Sequence, residues 1–136
     1  MVTPYECDID ATVWWGATSV DLIAGHNYRF EAEGKWNDAN IECGPEGYQL
    51  SALPAWRRLL FRAAASLRPL DTGDRWFMLL GRIGAEGMVF EIGKSRRFRA
   101  GTSGTLYCSV NDVQFMYRNN RGAVNLRIVD LGPFDT

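Results

Sequence analysis

SVDLIAGHNYRFEAEGKW, residues 19–36, carries two apolar runs separated by AGHN. In the second run Tyr28, Phe30 and Ala32 alternate with Arg29, Glu31 and Glu33. That period of two marks a strand with one face in a core and the other in water. Leu22 and Tyr28 flank AGHN, which reads as a four-residue hairpin connection. The loop NDANIECGPEG follows, polar and punctuated by Gly and Pro. Further on, RWFMLLGRIG, GMVFEIG, RRFRA, GTLYCSVND and GAVNLRIVD continue the same short apolar runs, with glycine at most of the joins. About eight strands without a βαβ rhythm predict an antiparallel β-sandwich. Gly84, Gly93, Gly104 and Gly122 fall at strand ends, where left-handed backbone is expected.

One segment breaks the period. SALPAWRRLLFRAAASLRP, residues 51–69, sets Trp56, Leu59, Leu60, Ala63, Ala64 and Leu67 at helical spacing. Ser51 stands near the N-cap, Pro54 suits the first turn and Pro69 ends it. The spacing predicts a helix near residues 53–68, packed through Trp56, Leu60 and Ala63 or Ala64, with Arg58 and Arg62 left in water. Arg57, Arg58, Arg62 and Arg68 lie largely off the apolar stripe, with no acid among them. An anion or membrane-surface contact is the functional alternative for such a helix.

The chain of 136 residues suits one domain, residues 1–136, with a helical insertion at about 49–72. Hydrophobic residues at 46% and charged residues at 23% describe an ordinary globular balance. A net charge of −1 gives the whole molecule no bias toward nucleic acid. Cys7, Cys43 and Cys108 are widely spaced and make no zinc pattern with the single histidine, so reduced thiols are expected. MVTPYECDID has neither a basic nor an apolar signal-like region, and no apolar run approaches the roughly 20 residues of a membrane span. A cytoplasmic location and no membrane span are the expectations. His26 sits in a turn, and there are no paired catalytic carboxylates and no phosphate loop, so a non-enzymatic protein is expected.

VNDVQFMYRNNRG, residues 110–122, admits two readings. Asn-Asn-x-Gly is a good turn, and Asp112 could cap it. Equally, an acid on a strand end, faced by the amides of Asn119 and Asn120 across a loop, can build an oxygen cage around a hard cation.

The order GHNYRFEAEGKW, GPEG, LLGRIG, FEIGKSRRFRA, SGTLYCSVND and NNRG resembles the PA-IL-type bacterial galactose-binding lectins and related β-sandwich modules. The likeness spans about residues 10–130, interrupted across about 49–72. It implies a small jelly-roll-like, galactose-binding-domain-like sandwich that binds a sugar through one Ca²⁺. Carried onto this chain, Asp112, Asn119 and Asn120 would be side-chain ligands and Met116 a backbone-carbonyl ligand. A further carbonyl would come from the loop after Trp36, at Ala39, with Asp38 or Asn40 equally placed. Asp112 and Asn119 would also meet the sugar, and Trp76 falls near a position lining the family's sugar site, where an indole can stack.

The family's sugar-contacting His and Gln fall on Ser51 and Pro54, neither of which can do the same work, and Arg118 and Arg121 flank the amides unusually. The resemblance thus implies a calcium-dependent carbohydrate-binding module, galactose-type by family default. The alternative is a protein-interaction module on the same sandwich that has lost the sugar and uses its helix or a sheet face to form homo-oligomers.

Overall fold

The computed structural model describes residues 4–134. In chain order the elements are β1 (Tyr5–Asp10), β2 (Gly16–Leu22), β3 (Asn27–Glu33), β4 (Trp36–Asp38), β5 (Ile41–Cys43), β6 (Tyr48–Gln49) and α1 (Ala55–Ala64). They continue as β7 (Arg75–Trp76), β8 (Leu79–Ile83), β9 (Phe90–Glu91), β10 (Ser95–Arg99), β11 (Gly104–Val110) and β12 (Asn120–Gly132). Every pairing among the described strands is antiparallel. The larger sheet runs β10-β3-β12-β4-β5, with β1 also on β12; the second runs β2-β11-β8-β9; β6 and β7 form a small ribbon. This is the all-β antiparallel sandwich that the period of two predicts.

The core lies where the two inner faces meet. On β3 burial alternates strictly: Tyr28, Phe30 and Ala32 are inside and Arg29, Glu31 and Glu33 outside. They join Leu126 and Ile128 of β12 and Leu22, Leu106, Cys108 and Val110 of the opposite sheet in one cluster. Burial of such side chains is the dominant favourable term in the fold. Trp36, fully buried, donates its indole N–H to the Gly44 carbonyl at 3.0 Å, so the largest core residue leaves no polar atom unpaired.

AGHN is not a hairpin turn. β2 pairs with β11 and β3 with β10 and β12, so the connection crosses from one sheet to the other. His26 donates its backbone N–H to the Ile23 carbonyl at 3.0 Å, and Ile23 donates its own to the Tyr28 hydroxyl at 2.7 Å. The His26 side chain is drawn onto β12, its Nδ1 lying 3.0 Å from the Asp130 carboxylate. All three cysteines are free thiols. Burial pushes Cys7 up to about 11 and Cys43 to about 12, which keeps both protonated and poorly nucleophilic.

The helix forms where expected, shorter by a few residues and flanked by 3-10 turns at Leu50–Ala52 and Ala65–Leu67. Ala64 packs as expected, but Trp56 and Leu60 do not. Trp56 is 65% exposed and Leu60 61%, while Phe61, Ala64 and Ala65 pack onto a second core cluster of Leu50, Leu53, Trp76 and Val113. Polar anchors set this rotation. Arg58 donates to the Leu53 carbonyl at 2.7 Å, Arg62 pairs with Asp74 at 2.8 Å, and Phe61 meets Trp76 at 4.8 Å between ring centroids.

Gly84, Gly93, Gly104 and Gly122 all have positive φ. Gly122 matters most, because at φ +88 a Cβ there would meet the Lys35 carbonyl and Trp36 Cα, each at 3.1 Å. Gly122→Ala should cost about 2 kcal/mol, from left-handed strain and a tight contact against backbone. Its urea midpoint checks this; a variant as stable as the parent would mean that β4 and β12 have room to separate.

Candidate metal and sugar site

Asp112 lies just past the end of β11. Its Oδ1 accepts the Val113 backbone N–H at 2.8 Å, one residue ahead of the 3-10 turn Gln114–Asn119. Tyr117 on that turn donates its hydroxyl to the Val110 carbonyl and lies 2.6 Å from Ser109 Oγ, tying the loop back to β11. The turn delivers Asn120 to the start of β12, in register with Asp38 of β4. Asp112, Asn120 and Asp38 are all buried.

The polar accounting at these three residues is incomplete. Asn120 donates its Nδ2 to the Ala11 carbonyl at 2.9 Å, which fixes the amide's orientation and leaves Oδ1 buried with no partner. Asp112 Oδ2 is likewise buried and unpartnered. Asp38 Oδ2 accepts the Tyr48 hydroxyl at 2.6 Å. Burial pushes Asp112 up to about 7, helped by the Asp38 charge and opposed by the Val113 N–H and by the nearby Asn120 amide, which makes no hydrogen bond to Oδ2. Asp38 is raised too, chiefly by burial, against the Tyr48 hydroxyl and the Arg57 charge. Among the described residues neither acid has an ion pair within 4 Å.

Two buried acids and two orphaned oxygens are costly as they stand, since unpaired buried acceptors lose their hydration. A hard cation with oxygen ligands relieves all of it at once. The donor set therefore fits calcium chemistry. Among the described residues no three His, Cys, Asp or Glu side chains gather to hold a metal, so a cage here would draw on amide and carbonyl oxygens as well.

The other sequence-derived positions fall unevenly around this centre. Asn119 is exposed, and its carbonyl accepts the Ala39 N–H at 3.1 Å, docking the β4–β5 turn onto the end of the 3-10 turn. Ala39 itself takes left-handed backbone, φ 53. Met116 is partly exposed and donates its N–H to the Val113 carbonyl at 2.9 Å. Ser51 is exposed on the 3-10 turn ahead of α1, and Arg118 and Arg121 are exposed as well.

Trp76 is a correction. It is 2% exposed, with Phe61 against it and the Arg68 guanidinium 4.5 Å from its ring, so it fills core and offers no open face to a sugar. Asp38, placed by the sequence only as a possible carbonyl donor, instead brings a buried carboxylate to the site, in register with Asn120 and acting on Asp112. Trp36-Asn-Asp in a short hairpin was the available signal, since period two buries residue 38 with residue 36. A groove of about 780 Å³ lies elsewhere, over β3, β9 and β12, and contains none of these residues.

No family model matches the chain, nor does any curated protein. Among solved structures, the N-terminal domain of EclA, a PllA-like lectin, matches with a TM-score of 0.67 at 20% identity, over 93% of this chain and 95% of that one. Nearly full coverage of both chains establishes the fold: this is a β-sandwich built like that lectin domain.

Proposed function

We propose that the chain is a calcium-dependent carbohydrate-binding module whose cation sits against Asp112, Asn120 and Asp38. The observation that carries this is the pair of buried, unpartnered oxygens, Asp112 Oδ2 and Asn120 Oδ1, next to a second buried acid. Asp112 supplies charge, Asn120 an oriented amide oxygen, and Asp38, held by Tyr48, a second charge. Asn119, Met116 and Ala39 stand on the two turns that meet at the Ala39–Asn119 hydrogen bond, where they can add carbonyl or amide oxygens. Calcium, when bound, offers open coordination positions that two neighbouring sugar hydroxyls can fill. The lectin fold of the EclA domain supports carbohydrate as the ligand class, and a galactose-type sugar is what the resemblance of the sequence motifs implies.

Calcium titration tests the metal. Millimolar Ca²⁺ should raise the parent's melting temperature by several degrees, because a ligand at about 100 times its Kd stabilises by about 2.7 kcal/mol. Asp112→Asn should abolish the shift, and Asp38→Asn should reduce it. Glycan binding with and without chelator then tests the sugar. A parent indifferent to calcium would remove the metal and the calcium-bridged sugar together; calcium binding without any glycan would leave a cation that only pins two loops.

A further inference from the structure

α1 turns its apolar stripe away from the protein. Trp56, Leu59 and Leu60 of α1 are 65, 70 and 61% exposed, and Leu67, on the 3-10 turn that extends it, is 57% exposed; at helical spacing the four share one side. The opposite side, through Phe61, Ala64 and Ala65, is the one that packs. Arg57 lies beside the packed face, its guanidinium 5.7 Å from the Phe61 ring, and Arg62 beside the other flank. Isolated exposed apolar residues are ordinary, but four large ones in a row along a well-anchored helix and the 3-10 turn that extends it mark a contact surface.

We propose that this stripe docks in the interfacial layer of an anionic lipid surface. Charge selects the partner. Residues 50–76 hold five arginines against Asp71 and Asp74, a net of +3, while the rest of the chain has ten basic and fourteen acidic residues, a net of −4. Asp74 is already paired to Arg62, and Asp71 lies 3.8 Å from Arg68. Arg57 and Arg58 enter no ion pair among the described residues. An apolar row containing Trp, flanked by arginines, has the composition of a helix that lies in the plane of a headgroup region.

A second copy of this chain fits the stripe less well. Two such helices face to face would oppose arginine to arginine, with no acid on α1 to answer them. A row of four side chains is also narrow against the about 800 Å² per partner of a stable pair. No described helix is long and apolar enough to cross a membrane, so the contact is peripheral.

The test uses vesicles of phosphatidylcholine alone or mixed with phosphatidylglycerol, without any glycolipid and in chelator, so that its outcome is independent of the calcium and sugar reading. Of the five tryptophans only Trp56 is exposed, so an emission blue-shift reports on the stripe itself. The parent should float with the mixed vesicles and blue-shift at low salt, and both effects should fade at high salt. Trp56→Phe should still float while losing most of the shift. Leu59→Glu with Leu60→Glu should weaken flotation roughly tenfold or more, with an unchanged melting temperature because both side chains are already in water. Equal flotation of parent and double variant, or none by the parent, would overturn the proposal. A parent dimer in light scattering that the double variant breaks would overturn it as well, and would give the stripe to a second copy.

Discussion

In chelator, the protein is expected to lose stability as the pH rises from about 4 through about 7. The sign follows from Asp112, whose folded carboxyl is held near 7 by burial beside Asp38, against about 3.9 for a free aspartate. Between those values the native state keeps a proton that the unfolded chain has released, so raising the pH favours unfolding. The slope is about 1.4 kcal/mol per pH unit, and the window sums to about 4 kcal/mol. Asp38, also raised, acts in the same direction. Asp112→Asn cannot titrate, so its stability profile should be flatter, and at about pH 8 the variant should be more stable than the calcium-free parent. Urea midpoints of both proteins across the window measure this. Calcium should rescue the parent at high pH and leave the variant unchanged, because the charge that destabilises the empty cage is the one that binds the cation. Parallel profiles for parent and variant would mean that Asp112 is ionised without penalty and that the cage has no electrostatic reason to take a cation.

The sandwich was legible because its signal is local. Tyr28, Phe30 and Ala32 alternate with charged residues in the sequence, and the same alternation sets their burial. The helix was legible in extent for a similar reason, between Pro54 and Pro69. Which partner an element takes is not local. AGHN joins two half-buried runs, but period two is the same whether they pair within one sheet or face each other across the core. The helix misled more deeply. Its apolar stripe is the strongest periodic feature of the segment, yet Arg58, Arg62 and the Phe61–Trp76 contact turn that stripe outward.

At the candidate site, the Asp112-to-Asn120 loop could be read because its residues are close in sequence. Asp38 reaches it only through the pairing of β4 with β12, across about eighty positions of chain. Trp76 could not be excluded from the site without knowing that Arg68 and Phe61 cover it.

Gly47 ties that site to the fold, and Gly47→Ala should have the largest effect on stability of any single methyl group added here. The residue closes the turn GPEG, donating its N–H to the Gly44 carbonyl at 3.0 Å with φ +79. A Cβ on it would sit 2.1 Å from the Trp76 carbonyl oxygen, 3.0 Å from Met78 N and 3.1 Å from Phe77 C. All three are backbone atoms, so no side chain can swing aside; β7 and the start of β8 would have to move. Left-handed strain adds about 1–2 kcal/mol, and the total should exceed about 4 kcal/mol, enough to lower the melting temperature by about 10 °C or more. The next residue is Tyr48, paired with Trp76 in register and bonded through its hydroxyl to Asp38. Displacing the turn should therefore also weaken the calcium response of whatever protein still folds. Tyr48→Phe separates the two effects: it keeps the turn and the ring, removes only the hydrogen bond to Asp38, and should cost about 1–3 kcal/mol without the collapse expected of Gly47→Ala. If Gly47→Ala melts with the parent, β7 yields freely to the turn and Tyr48 is not held in place by it; if Tyr48→Phe alone removes the calcium shift, the second carboxylate depends on that one hydroxyl for its position.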